Sequence, residues 1–437
     1  MRWVAFVLVA ALGGCGGMDG LSNVFGTKDE HLLGERETVF SSAGPDVIGG
    51  EARAASFGPA RANADWPQPG GNAQNDPGHV AFAGGGARAW RTSVSGVQKS
   101  ATRGTLRITA RPIVSGDRVY IYAPDGTVTA LSLSGGGRVW STSLRPEGER
   151  DSAVGGGVTA SGGRIYAATG YGEVVALDAG SGAEIWRSDL DAPLRGAPTA
   201  GGGKIFVVSQ KNQVFAVNEE DGTKAFEYDG IPEQAGLLAS ASPAVSGDKV
   251  VIPYSSGEVM AFSIASGEPV WQNFVTRPSR SLAIAGLNDV TGSPVIDGDT
   301  VYATGVAGKT IAVSLSSGDP KWSADIGSAH TPVVSGSSIF LLDIGGRLVA
   351  LNKSNGEVLW ARTLPSERRR DAAYVGPVLA GGALYAISND GRLITANPQT
   401  GEIIADRNLG SKAFTAPIVA GGQMIYVSGA GEITALR

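Results

Sequence analysis

Short runs of β-branched and aromatic residues alternate with glycine turns along most of this chain. One template recurs: P-x-V, a glycine turn, V-Y, a second glycine turn, V-x-A-L, and a third turn that leads to tryptophan. Apolar runs of this length between turn residues are typical of consecutive antiparallel strands. Seven copies occupy residues 112–140, 158–186, 198–226, 243–271, 294–322, 332–360 and 377–405.

The template has a constant internal length. In every copy the last residue lies 28 positions after the first, so all insertions fall between copies. The seven steps from Trp90 to Ala405 average 45 residues. This period, with several short strands in each copy, predicts four-stranded blades of a β-propeller.

An eighth blade is divided between the two ends of the repeat region. The copy at 417–437 stops before its tryptophan strand, and an unaccompanied tryptophan strand lies at 87–94. Joining the two segments closes the ring and removes an exposed sheet edge. We therefore predict an all-β, eight-bladed propeller of antiparallel blades over 87–437, with the last blade closed by an N-terminal strand.

One template position carries a large aromatic side chain in almost every copy. Recurrence at an equivalent position favours packing between blades over stacking on a sugar or quinone. These residues are Trp90, Trp140, Trp186, Phe226, Trp271, Trp322 and Trp360.

The beginning of the chain has the order of a secretory signal. One arginine, an apolar run too short to span a bilayer of about 30 Å, and small residues precede Cys15. The LGGC ending resembles a bacterial lipobox, which implies that 1–14 is removed and that Cys15 is lipidated. An ordinary signal peptide that contains a cysteine is the alternative. Gly16, where inner-membrane lipoproteins carry aspartate, implies the periplasmic face of the outer membrane.

The segment between Cys15 and the first blade has a different composition. Residues 15–50 are polar and mixed, which predicts a flexible tether, and 51–86 are rich in Ala, Gly and Pro, which predicts an extended strap against the propeller. Because Cys15 is the only cysteine, no intramolecular disulfide is available. The net charge of −5 gives no electrostatic basis for nucleic-acid binding.

Candidate chemistry is sparse. His31, His79 and His330 have neither the spacing nor the acidic neighbours of a metal site, which favours satisfied surface or turn positions. Arg368–Arg370 form a dense positive spot that is either solvated or faces an acidic partner. No catalytic motif, metal site or cofactor site is predicted.

Variation in length is confined to the connections from a tryptophan strand to the next copy. In a four-stranded meander these connections lie on the same face as the second-to-third hairpins, and function is expected on loops of a rigid scaffold. The longest connection, 272–294, carries Leu287 close to Asp289. We expect this face to be the working surface.

A second connection, LDAPLRGAPTA at 190–200, places Leu194 beside Arg195. An exposed leucine next to an arginine, opposed by a carboxylate, suits a protein interface with an apolar anchor and a polar rim. The alternative is that Leu194 packs under its own blade and Arg195 pairs locally. The composition leaves both interpretations open.

Segments 176–186 (ALDAGSGAEIW) and 350–360 (ALNKSNGEVLW) resemble the repeat of pyrroloquinoline-quinone-type propellers. Quinoprotein alcohol dehydrogenases share this motif, so a periplasmic quinoprotein-type dehydrogenase or a sugar-active propeller enzyme is the alternative function. Those enzymes hold the quinone under adjacent bridged cysteines, and this chain has only Cys15.

The lipobox, the tether with LLGERETVF (32–40), the ADWPQPGGN strap (64–72) and the eight-bladed ring together resemble the BamB family. The resemblance covers essentially all of the mature chain. It implies a non-enzymatic scaffold lipoprotein of the outer-membrane β-barrel assembly machine, which binds the POTRA domains of BamA and assists folding and insertion of outer-membrane proteins. Other components of the machine and unfolded outer-membrane proteins are further candidate partners of a chain that acts as a monomer within the complex.

The resemblance also implies partner-binding residues. In that family an L-R-G loop and a D-V-x-[DT]-[TS]-P-like stretch supply the surface that grips the POTRA domains. The first matches Leu194, Arg195 and Gly196, and the second matches Asp289, with Leu287 nearby.

Two residues depart from the family pattern. Ala192 stands where some relatives have a further leucine, and Thr291 stands where they have a second aspartate. The resemblance therefore implies a contact that is less apolar and less acidic, or shifted toward Leu287.

Overall fold

The computed structural model describes residues 52–84, 86–96, 99–100, 104–105, 107–231, 241–275, 290–365 and 373–437. All regular elements in these ranges are β-strands. Nowhere in the described ranges does a helix occur that is long and apolar enough to cross a membrane.

The strands form eight four-stranded blades and one small hairpin. Before the first complete blade lie β1 (Arg88–Ser93), β2 (Lys99–Ser100) and β3 (Gly104–Thr105). Blades 1 and 2 consist of β4 (Ile113–Ser115), β5 (Arg118–Tyr122), β6 (Thr127–Ser132), β7 (Arg138–Ser143), β8 (Gly156–Ser161), β9 (Arg164–Thr169), β10 (Glu173–Asp178) and β11 (Glu184–Asp189). Blades 3 and 4 consist of β12 (Thr199–Gly201), β13 (Lys204–Val208), β14 (Gln213–Asn218), β15 (Lys224–Asp229), β16 (Ala244–Ser246), β17 (Lys249–Pro253), β18 (Glu258–Ser263) and β19 (Pro269–Phe274).

The remaining blades follow in the same order. Blades 5 and 6 consist of β20 (Val295–Asp297), β21 (Thr300–Gly305), β22 (Lys309–Ser314), β23 (Pro320–Ala324), β24 (Val333–Ser335), β25 (Ser338–Leu342), β26 (Arg347–Asn352) and β27 (Val358–Thr363). Blade 7 consists of β28 (Tyr374–Ala380), β29 (Ala383–Ser388), β30 (Arg392–Ala396) and β31 (Ile403–Asn408). Blade 8 combines β32 (Ile418–Ala420), β33 (Gln423–Val427) and β34 (Glu432–Leu436) with β1.

The predicted closure of the ring by both chain ends is confirmed. Strand β1 pairs antiparallel with β34, so that Trp90 lies opposite Ala435 and Ser93 opposite Glu432. The eight-bladed, all-β fold is therefore the one that the repeat predicts.

The V-x-A-L and tryptophan positions of the template face each other across a strand pair. In blade 2, Ala176 lies opposite Trp186, and the register shifts by one residue immediately after this pair. The same pairing and shift recur in blade 1 between Ala130 and Trp140. A small residue opposite the indole leaves room for it, and a bulge of this kind bends the strand and increases its local twist.

Each tryptophan contacts the third turn of the following blade. The Trp140 indole N–H donates to the carbonyl of Ala179 at 3.1 Å. A Cβ on Gly182, which has a φ of +74°, would lie 2.5 Å from the Trp140 ring, so this turn requires glycine for both its conformation and its contact. The tryptophans thus pack between blades, as predicted. The core consists of a series of apolar clusters between adjacent blades.

A segment before the first blade crosses one end of the central channel. We call residues 63–80 the plug. Its backbone and side chains hydrogen-bond to equivalent main-chain positions on the first strands of seven blades, all except blade 6, in blade order around the ring. The bonds pair Asn63 with Val419, Trp66 with Val114, Pro67 with Ala160, Gln68 with Ala200, Ala73 with Val245, Gln74 with Ile296 and Val80 with Leu379.

His79 fixes the end of the plug. Its Nδ1 lies 2.8 Å from the carbonyl oxygen of Gly58, and its Nε2 accepts a hydrogen bond from the backbone N–H of Gly382 at 2.8 Å. The histidine is satisfied, as the sequence indicates, and it is buried at a bend of the strap and not on the surface.

Candidate functional site

The connections between blades and the second-to-third hairpins share one face of the ring, as the meander predicts. In blade 3, Leu194 forms a β-bridge with Ser209 at the start of the hairpin. On either side of this bridge, the Arg195 N–H donates to Val208 O at 2.9 Å, and the Gln210 N–H donates to Pro193 O at 2.8 Å. This connection is therefore held along the hairpin by main-chain hydrogen bonds.

Leu194 is fully buried, so the expectation of an exposed leucine is wrong. Its side chain belongs to the apolar cluster between blades 2 and 3, together with Tyr166 and Val207. Its backbone is equally enclosed, because a Cβ on Gly155 would lie 2.2 Å from the Leu194 carbonyl oxygen. The bridge to Ser209 turns the leucine inward, which is the packing alternative that the composition left open.

Arg195 and Gly196 are buried as well. The Arg195 guanidinium donates through Nη2 to the carbonyl of Pro253 at 2.8 Å, and this carbonyl belongs to the second strand of blade 4. Ala192 is buried beside Gly172, where an added Cβ would lie 3.1 Å from the Ala192 nitrogen. These residues fix the course of the connection and brace it against blade 4.

The exposed residues around this loop form a separate group, which we call the blade 3 patch. Its members are Asp191, Pro193, Gln210, Lys211 and Ile231. Ile231 is 55% exposed although it is apolar, and its carbonyl accepts a hydrogen bond from the Asn212 side chain at 2.8 Å. Sequence reasoning missed Ile231; the signal was an apolar residue directly after the Asp229-Gly230 end of a fourth strand.

Several residues singled out from the sequence lie outside the described ranges. They are Cys15, His31, Leu287, Asp289 and Arg368–Arg370. Thr291, next to this group, is described, and its hydroxyl donates to the carbonyl of Ala329 at 2.8 Å.

A cavity of about 190 Å³ lies in the central channel above the plug. Its described wall comes from connections that lead into the first strands, and Pro69 of the plug contributes to it. Its polar lining residues include Thr109, Arg111, Thr291, Ser293, His330, Thr331 and Thr415.

His330 lies at a bend in the short connection before blade 6 and lines this cavity. Burial and, to a smaller extent, the nearby charge of Arg111 lower the pKa of its imidazole to about 4. At neutral pH the ring is therefore uncharged and presents one donor and one acceptor. Within the described ranges, no group of three His, Cys, Asp or Glu side chains is placed to hold a metal ion.

Comparison with known proteins gives a family match over most of the chain. The family described as outer membrane protein assembly factor BamB matches residues 124–362 and 345–437. The outer membrane protein assembly factor BamB of Vibrio cholerae is 37% identical over 213 residues, which are 49% of this chain and 55% of the relative. The chain thus spans about half the length of that curated relative.

Two solved structures share the fold. The crystal structure of BamB from Moraxella catarrhalis superposes with a TM-score of 0.67 at 22% identity, covering 79% of this chain and 99% of that one. A quinohemoprotein alcohol dehydrogenase from Comamonas testosteroni superposes with a TM-score of 0.65 at 14% identity, covering 85% and 80%. At these sequence identities the superpositions show only that the propeller fold is shared. The family match covers well over half of the sequence and therefore shows the family. The chain belongs to the family of outer membrane protein assembly factor BamB.

Proposed function

We propose that this chain is a non-enzymatic scaffold of the outer-membrane β-barrel assembly machine. In this role it binds the periplasmic POTRA domains of BamA and assists folding and insertion of outer-membrane proteins. The observation that carries the proposal is the family match, which extends over residues 124–437. A rigid ring with all its length variation on one face is also a suitable frame for a docking surface.

The docking surface that we propose is the blade 3 patch together with the connection at 272–294, which holds Leu287 and Asp289. The buried Leu194, Arg195 and Gly196 contribute by holding the patch in place. Ile231 supplies an exposed apolar anchor, and Asp191, Gln210 and Lys211 supply polar atoms around it. This is the usual composition of an interface, in which an apolar centre is ringed by polar residues.

Replacing Ile231 with aspartate is expected to weaken binding of the BamA periplasmic region by about tenfold or more, because a charge would be buried at the centre of the interface. The thermal midpoint should stay within a few degrees of wild type, since the side chain is 55% exposed. Titration by biolayer interferometry and a thermal melt measure the two quantities.

Ile404→Asp is the matched control. Ile404 is 61% exposed but lies on the outer strand β31, at the side of the ring. It should bind BamA like wild type. If Ile404→Asp binds weakly and Ile231→Asp does not, docking uses the outer strand edges and the proposed surface is wrong.

We further propose that Cys15 carries the lipid that anchors the chain to the periplasmic face of the outer membrane. Cys15→Ala should then move the protein from the membrane to the soluble periplasmic fraction, because a packed propeller has no other anchor in this proposal. Fractionation followed by immunoblotting checks this, with Ser22→Ala in the tether as the control. Membrane retention of Cys15→Ala in cells that lack BamA would contradict lipid anchoring.

A further inference from the structure

The residue immediately before the first template position, which is the proline of P-x-V in most copies, occupies an equivalent place in all eight blades. In seven blades it is small, and in blade 1 it is Arg111. The small residues are Gly157, Ala197, Ser242, Ser293, Thr331, Gly376 and Ala416. Arg111 is therefore the one long, positively charged side chain at a position where the other seven blades have small residues.

The Arg111 guanidinium lines the cavity above the plug. It donates through Nη1 to the carbonyl of Pro69 at 3.3 Å, a long hydrogen bond to a neutral acceptor. A guanidinium has several N–H donors in a plane, an arrangement that matches the two oxygens of a carboxylate or phosphate. None of the described residues that line the cavity is acidic.

Besides Arg111, the cavity wall contains a buried hydroxyl group, that of Thr415, without a hydrogen-bond partner in the described residues. The side chain of Thr415 is in a residue only 5% exposed, and its Oγ1 makes no hydrogen bond within the described part of the chain. Leaving a buried hydroxyl unsatisfied costs about 1 to 3 kcal/mol, so such atoms usually serve a ligand or water. Thr415 and Arg111 line the same cavity.

We propose that the central cavity binds a small oxyanion, a carboxylate or a phosphate, which pairs with Arg111 and accepts a hydrogen bond from Thr415 Oγ1. The volume of about 190 Å³ is many times the roughly 10 to 15 Å³ that a cavity needs to hold one water molecule, which leaves room for inorganic phosphate or a short dicarboxylate. Burial lowers the pKa of Arg111 to about 10, which is still well above neutral pH, so the side chain remains a cation there. This site is independent of the proposed docking surface.

Isothermal titration calorimetry of the purified protein at pH 7 tests the proposal, with sodium phosphate in one arm and sodium succinate in the other. Sodium chloride keeps the ionic strength constant. Saturable binding of at least one of these anions is expected. If only phosphate or only succinate binds, the result identifies the class of anion. Arg111→Gln should weaken anion binding by about tenfold or more, as loss of a charged hydrogen-bond partner does. Arg138→Gln, an exposed arginine on β7, is the matched control and should bind like wild type.

Two further variants keep the test decisive if Arg111→Gln fails to fold. Arg111→Lys retains the charge without the planar donors, and Thr415→Val replaces the unpartnered hydroxyl with a methyl group of similar size. Both should fold and bind several-fold more weakly. Absence of saturable binding in both arms, or wild-type affinity of Arg111→Gln or of both Arg111→Lys and Thr415→Val, would overturn the proposal.

The His330 imidazole provides a spectroscopic check. Because the charge of Arg111 lowers the His330 pKa, an anion bound at Arg111 should raise that pKa from about 4. Histidine ring resonances followed by NMR between pH 3 and 7, with and without saturating anion, measure the change. An unchanged His330 pKa at saturation would place the anion elsewhere and contradict the assignment to this cavity.

Discussion

Replacing Trp66 with alanine is expected to lower the free energy of unfolding by about 3 to 5 kcal/mol. Trp66 is fully buried, and its indole N–H donates to Pro69 O at 3.2 Å. Its backbone pairs with Val114 through two hydrogen bonds of 2.8 Å each. Truncation would leave a large cavity where the plug meets blade 1. Urea denaturation followed by tryptophan fluorescence and circular dichroism measures the loss.

Trp66→Phe separates packing from hydrogen bonding. This variant retains most of the apolar volume. It should lower the free energy of unfolding by clearly less than Trp66→Ala does, on the order of 1 to 2 kcal/mol. Limited proteolysis adds a local readout, because a loosened plug should be cleaved within residues 63–80 before the blades are. If Trp66→Ala denatures at the same urea concentration as wild type, the plug does not contribute to the stability of the ring.

The blades could be predicted from sequence because each is specified by local, repeated patterns. The alanine opposite each tryptophan and the glycine of the following blade that packs against its indole lie at fixed positions of the template, as Ala130, Trp140 and Gly182 illustrate. Closure of the ring followed from two incomplete copies whose missing parts matched. No long-range information beyond the repeat was needed for these features.

The plug could not be predicted in detail, because its partners are main-chain groups spread over the whole ring. Proline, glycine and alanine in the strap indicate an extended chain but carry no signal for its course. Gln68 shows the difficulty: its side chain bonds both main-chain groups of Ala200, which lies 132 positions away. Only the assembled ring brings such groups to one mouth of the channel.

The connection at 190–200 was likewise only partly predictable from the sequence. Whether Leu194 faces solvent depends on its bridge to Ser209, a contact between a connection and a hairpin that the repeat template leaves unspecified. Arg111, in contrast, had a signal that went unused. Extending the alignment of the copies by one residue, to the position before the template proline, places Arg111 among small residues.

Leu194→Ala is expected to destabilise the propeller by about 2 to 5 kcal/mol, since it removes a fully buried side chain from the cluster between blades 2 and 3. Leu194→Met conserves the volume and should cost less than about 1.5 kcal/mol. Urea denaturation gives both values. A change in stability below about 0.5 kcal/mol for Leu194→Ala would show that the leucine is not packed in solution.

The same variant distinguishes positioning from direct contact in the proposed BamA interface. If Leu194 acts by holding the blade 3 patch, binding should weaken in proportion to the loss of local order and return in Leu194→Met. Ile231→Asp should weaken binding without a matching loss of stability, because Ile231 is exposed. Weak binding by Leu194→Met at wild-type stability would instead mean that the leucine itself reaches the partner, which would require the connection to open away from Ser209 on docking.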